Sequence, residues 1–95
     1  MKRKNIYGEI NFISDIRKIN ERIREDIKRA KTKPRITKLV RRSGYICTLT
    51  FSPSFKKKLY GKLLKARKMA EEEYTRTAKL ANKKLGRKVY DERWG

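Results

Sequence analysis

The chain contains no histidine and a single cysteine, Cys47, in 95 residues. Without histidine neither a Ser-His-Asp nor a Cys-His catalytic arrangement can be assembled, and every His or Cys zinc site is excluded. A lone cysteine forms no intrachain disulfide, so nothing points to an oxidising compartment, and Cys47 reads as a small core residue. Long apolar runs are missing too. The longest is a few residues, against the roughly 20 that cross a bilayer, and no apolar signal-peptide core follows the basic start Lys2-Arg3-Lys4. These absences lead us to expect a soluble, non-enzymatic protein with no cofactor, no metal, no small-molecule substrate and no membrane partner. Its expected location is cytoplasmic or nucleoid-associated, or alternatively within a virion.

Acidic residues are missing from one long segment. Between Ile27 and Ala70 there are 15 Lys or Arg and no Asp or Glu, whereas residues 1–26 and 71–95 each carry 7 basic and 5 acidic groups. The middle segment therefore holds 15 of the 19 net positive charges. A block of one sign repels itself in the compact state unless a polyanion neutralises it, and nucleic acid is the commonest intracellular polyanion. With 37% apolar and 41% charged residues, burial has little to spare against conformational entropy, so a bound polyanion or a second copy is expected to add stability.

What is present is periodic. Apolar residues recur at Ile6, Ile10, Ile13, Ile16, Ile19, Ile23, Ile27 and Ala30, in steps of three or four. This predicts a helix over about 11–32, capped by Asn11 or Ser14 and ended by Pro34. Its mean step is close to that of a coiled-coil seam, which suggests self-association. Arg35–Arg42 and Tyr45–Phe51 are rich in Ile, Val, Thr, Tyr and Phe and flank Ser43-Gly44, a two-residue connection suited to a tight turn. A two-stranded hairpin over about 35–51 follows. Its register points Ile36, Lys38, Val40, Arg42, Tyr45, Cys47, Leu49 and Phe51 inward, and Arg35, Thr37, Arg41, Thr48 and Thr50 outward.

Ser52-Pro53 starts a second helix, a capping hydroxyl followed by proline at the first position. Phe55, Leu59, Leu63, Ala66, Ala70, Tyr74, Ala78, Ala81 and Leu85 carry its apolar line over about 53–85, as far as Gly86. That helix spans roughly 50 Å, and Glu71–Thr77 is where a bend is expected. The fold class read from the sequence is thus α+β, a single small domain over 11–86 of order helix, antiparallel β-hairpin, long helix (α-β-β-α), open to completion by dimerisation through either helix. A basic arm (1–10) precedes it and a tail (87–95) follows.

Three surfaces carry the candidate chemistry. On the second helix Lys57, Gly61, Lys65 and Lys68 lie opposite Phe55, Leu59 and Leu63, where ammonium groups can track phosphates; Lys56 and Lys58 flank this stripe. The competing reading is an ordinary solvated face, but such a face normally mixes signs. A hairpin with Arg35 and Arg41 outward and Arg42 projecting beyond the turn would fit a major groove, or would be an edge guarded by cations. The arm Lys2-Arg3-Lys4 suits a minor groove or serves as a solubilising terminus. The aromatics read mostly as core, with Trp94 the exception, placed to dock on the body, on a neighbouring subunit or on RNA. Glu71-Glu72-Glu73 is no metal site, because neighbouring helical positions diverge by about 100°; it reads as a source of salt bridges.

The leading functional expectation is a nucleic-acid-binding protein contacting the phosphate backbone of DNA or RNA through Arg35, Arg41, Arg42, Lys56, Lys57, Lys58, Lys65 and Lys68. The alternative is a structural component of a ribonucleoprotein or virion, which would carry the same charge. A ribonuclease toxin acting without histidine ranks lower because no motif announces it, and a lipid-surface helix ranks last.

Overall fold

A computed structural model describes Ile10, residues 13–59 and residues 61–94; the side chains of Ser54 and Lys58 lie outside it. Of the expected N-terminal arm only Ile10 is therefore described, buried in the core, and the Asn11 cap falls outside the described residues. Four helices follow in order: α1 (Ile13–Arg29), α2 (Lys33–Leu49), α3 (Pro53–Lys58) and α4 (Leu63–Leu85). Among the described residues there is no strand. Helices α1, α2 and α4 pack pairwise into a three-helix bundle of 40 × 29 × 19 Å.

This overturns the α+β class and its hairpin. The segment read as two strands is the 17-residue helix α2. Its buried residues, Ile36, Leu39, Val40, Ser43, Ile46 and Cys47, with Thr50 just beyond, recur in steps of three, one and three. That is the period of one helical face. The β-branched residues lower helix propensity by only tenths of a kcal/mol each. A lone two-stranded hairpin is at best marginally stable in water, and it would have buried fewer of these side chains. Pro34, expected to end the first helix, lies in the first turn of α2, after α1 has already stopped at Arg29.

Ser43-Gly44 is not a turn. Ser43 is fully buried and donates its hydroxyl proton to Asn20 Oδ1, while Asn20 Nδ2 donates to the Ile16 carbonyl at 2.8 Å. Ser43, one of the two residues that suggested a hairpin, thus ties α2 to α1.

The long second helix is also broken, earlier than expected. Ser52 caps α3 as read from the sequence, its Oγ accepting from the Phe55 N–H at 3.3 Å, with Pro53 in the first turn. But α3 ends after six residues, Gly61 adopts φ +81°, and α4 begins at Leu63. Only glycine takes that dihedral without strain. Glu71–Thr77, where a bend was expected, lies inside continuous α4, and Gly86 at φ 74° ends α4 where the sequence placed the stop.

The core sets large against small. Helix α1 contributes Ile16, Ile19, Ile23 and Ile27, and α4 contributes Ala66, Ala70, Ala78 and Ala81, all buried. Lys84 Nζ donates to the carbonyl of Ile27 at 2.8 Å and to that of Lys28, placing a positive charge on the negative end of the α1 dipole. No helix among the described residues is long and apolar enough to cross a membrane.

Candidate nucleic-acid interface

Helix α2 turns its apolar positions toward α1 and α4, so its remaining arc faces solvent. At about 100° per residue Arg35, Lys38, Arg41, Tyr45 and Thr48 fall on that arc. All five are exposed, and Tyr45 is 60% accessible. Arg42 is half-buried at the edge of the same arc and its Nη1 is out of solvent. The arc resolves into three rows of residues seven apart: Lys38 and Tyr45 in the middle, Arg35 and Arg42 on one edge, Arg41 and Thr48 on the other. From Lys33 to Thr48 it is about 22 Å long. No carboxylate occurs anywhere on α2 or α3.

The α1 face and α4 beyond Ala70 are mixed in sign. On α1, Arg17 pairs with Glu21 at 3.5 Å and Lys28 with Glu25 at 3.2 Å, all exposed. A broad open depression between α1 and α4 carries both signs, Lys18, Arg22 and Arg76 beside Glu21, Glu25 and Asp26. On α4 Glu71 and Glu72 are exposed. The third glutamate of the triplet turns inward, where Glu73 accepts from Arg24 at 2.9 Å and meets Arg76 at 3.6 Å.

The sequence-derived candidates do not form one surface. Arg35, Arg41 and Arg42 share the α2 arc, while exposed Lys56 and Lys57 stand on α3 and exposed Lys65 and Lys68 on α4. The side chain of Lys58 lies outside the described residues. The break at Gly61 divides the expected stripe between two helices. Two outward hairpin threonines are otherwise engaged, Thr50 bonded to the Cys47 carbonyl at 2.6 Å and Thr37 to the Tyr90 hydroxyl at 2.7 Å. Lys38 and Tyr45 were missed as surface residues because the hairpin register turned them inward. A helical reading of Ile36, Leu39, Val40 and Ser43 exposes both.

The tail beyond α4 is held against the bundle. Asn82 Oδ1 accepts from the N–H groups of Val89 and Tyr90, both at 2.9 Å, and its Nδ2 donates to the Tyr90 carbonyl and to Glu92. Tyr90 then reaches Thr37 near the start of α2, and Trp94 lies beside Gly44 and stacks on Phe51 with ring centroids 6.1 Å apart. The Arg67 guanidinium sits 4.1 Å from the centre of the Phe51 ring, a cation on an aromatic face. Of the three positions open to Trp94 in the sequence, the structure shows the docking on the body. Cys47 is buried, and desolvation, then the negative charge of Glu71, pushes its thiol up to about 12. It is no nucleophile near neutral pH. No family model matches this chain, and neither a curated protein nor a solved structure does.

Proposed function

We propose that the protein is a non-enzymatic nucleic-acid-binding protein that contacts the phosphate backbone through α2, with the cations of α3 and early α4 as a secondary surface. The observation that carries this reading is the solvent-facing arc of Arg35, Lys38 and Arg41 on a helix without a single carboxylate. Cations on a rigid helix at fixed spacing neutralise phosphates and release their counterions, which supplies affinity without base recognition. Three such contacts give a slope of log affinity against log salt of about −2.7 on B-form DNA. Coating or compacting nucleic acid in the cytoplasm or on the nucleoid is the role this chemistry fits.

The test removes equal charge from two faces. A triple variant Arg35→Gln, Lys38→Gln, Arg41→Gln is compared with Arg17→Gln, Lys18→Gln, Lys28→Gln by fluorescence anisotropy on a labelled duplex across a salt series. The α2 variant is expected to lose about tenfold or more in affinity and to flatten the slope by about 3, the α1 variant far less. Equal losses would reduce the effect to net charge, and no binding by the wild type would remove the reading.

One observation favours the alternative of a structural subunit in a ribonucleoprotein or virion. Leu64, at the start of α4, is 79% exposed among the lysines Lys62, Lys65 and Lys68. An apolar side chain so placed suits an assembly that covers it. Sedimentation of the free protein with Leu64→Ser as comparison separates the two: a monodisperse, cooperatively melting monomer indifferent to the substitution favours the free binder.

A further inference from the structure

We infer that α2 inserts into the major groove of duplex DNA, its edge rows toward the two phosphate walls and its middle row, Lys38 and Tyr45, toward the base edges. This rests on the nucleic-acid reading above and makes it specific in polymer, groove and residue role.

The shape of the arc carries the inference. A helix with its side chains is about 10–12 Å across and the major groove of B-form DNA about 12 Å wide, so a helix fits where its exposed arc meets both walls. The α2 arc has that layout. Exposed Arg35 lies on one edge and exposed Arg41 on the other, so a cation faces each wall while the middle row points between them. A helix lying flat on one strand would need cations along a single line. The middle row pairs a long donor, Lys38, with the flat and amphipathic Tyr45, side chains able to meet guanine acceptors and thymine methyl groups.

Competing polymers fit less well. A-form RNA duplexes have a deep, narrow major groove that side chains cannot read. Single strands are held in grooves on successive aromatic platforms. Here the exposed arc is convex and its one aromatic is Tyr45; Phe51, 51% exposed just past the end of α2, is already covered by Arg67 and stacked on Trp94.

The experiment uses the full chain and four 20-mer probes of one sequence: duplex DNA, duplex RNA, single-stranded DNA, and duplex DNA whose cytosines carry glucosylated 5-hydroxymethyl groups. The last fills the major groove with neutral bulk and leaves every phosphate in place. Unmodified duplex DNA is expected to bind at least tenfold more tightly than each of the others at one salt concentration. Arg35→Gln and Arg41→Gln are each expected to lower the salt slope by about 1, whereas Tyr45→Ala weakens binding about fivefold with the slope unchanged. Circular dichroism melts of these surface variants guard against unfolding. Undiminished binding to the groove-filled duplex with a steep slope overturns the groove placement and leaves the backbone reading standing. Equal or tighter binding to RNA duplex or single strand also overturns it. No binding to any probe overturns both.

Discussion

Arg24 on α1 donates to Glu73 on α4 at 2.9 Å, and the glutamate side chain is only 5% exposed. Arg24 Nη1 also lies 3.4 Å from the Glu73 backbone carbonyl, which accepts the Thr77 hydroxyl as well. The pair joins the first and last helices of the bundle and leaves Arg24 16% exposed. Because Arg24 keeps some water and Glu73 little, the two truncations are unequal. Arg24→Met is expected to destabilise by about 2–3 kcal/mol, since it leaves the buried carboxylate only its longer 3.6 Å contact to exposed Arg76, and Glu73→Gln by about 1 kcal/mol. The double variant Arg24→Met, Glu73→Leu should recover most of the loss. Urea unfolding of the three variants checks the order.

Gly44→Ala discriminates the helix from the hairpin. A Cβ at Gly44 would sit 3.6 Å from Trp94 Cδ1 and from Tyr74 Cε2, ordinary contact distances. Alanine in a helix interior is better than glycine by roughly 1 kcal/mol, so the variant should unfold at higher denaturant concentration by an amount near that. In a tight turn the same change would force a strained dihedral and destabilise the protein. A shift in the denaturation midpoint decides between them.

Asn82→Ala should release the tail while leaving the bundle folded. The substitution strips partners from the N–H groups of Val89 and Tyr90 and from the Tyr90 carbonyl. About 1–3 kcal/mol of stability is expected to go with them. Trp94 is the single tryptophan, so its emission reports the docking: a red shift in the variant under native conditions, with the helical signal retained, marks a detached tail.

Cys47 makes the protein sensitive to alkali. Its thiol ordinarily titrates near 9.0 and is pushed up to about 12 by burial. The raised value means that the folded state keeps a proton the unfolded state sheds, so stability is full below pH 9 and falls as pH rises toward 12. The slope approaches about 1.4 kcal/mol per pH unit where the unfolded thiol is ionised. Tyr74 adds to it above pH 10, because desolvation first and then Asp91 and Cys47 raise its hydroxyl. Cys47→Ala should flatten the decline between pH 9 and 10, as followed by urea midpoints. The native thiol should also resist a disulfide reagent at pH 8 and react promptly in urea.

Removing charge from α2 should stabilise the free protein. Arg35, Lys38 and Arg41 stand on one face with no carboxylate on their helix, and they repel one another and the rest of a chain of net charge +19. The triple glutamine variant is expected to gain about 0.5 kcal/mol at low ionic strength. The gain should vanish at 1 M salt, where the screening length falls to about 3 Å. Thermal melts at two salt concentrations are sufficient.

The helical parts were legible where the apolar spacing had one interpretation. The isoleucines from Ile13 to Ile27 admit only a helix, and Ser52-Pro53 and Gly86 mark ends that the structure reproduces. Helix α2 was misread because Ile36 to Phe51 satisfies two periods at once. Alternation fits Ile36, Val40 and Cys47, and a step of three or four fits Ile36, Leu39, Val40, Ser43, Ile46 and Cys47. The β-branched content and Ser43-Gly44 tipped the reading toward strands. What decided the fold was a partner invisible locally: Asn20, across on α1, gives buried Ser43 a hydrogen bond and makes a polar residue welcome on an inward face. The candidate site suffered with it. Its cations were identified by composition, yet their division among three helices, and the places of Lys38 and Tyr45, depend on the period and on the break at Gly61.

The alanine face of α4 has a consequence for a chain with so many charged side chains. Ala66, Ala70, Ala78 and Ala81 have no rotamers to lose when the bundle closes. At these four positions the ordering entropy is confined to the backbone, while the opposing isoleucines, already stiff at χ1, give up little more. A sequence with limited apolar bulk therefore closes its core around side chains that had the least freedom to surrender.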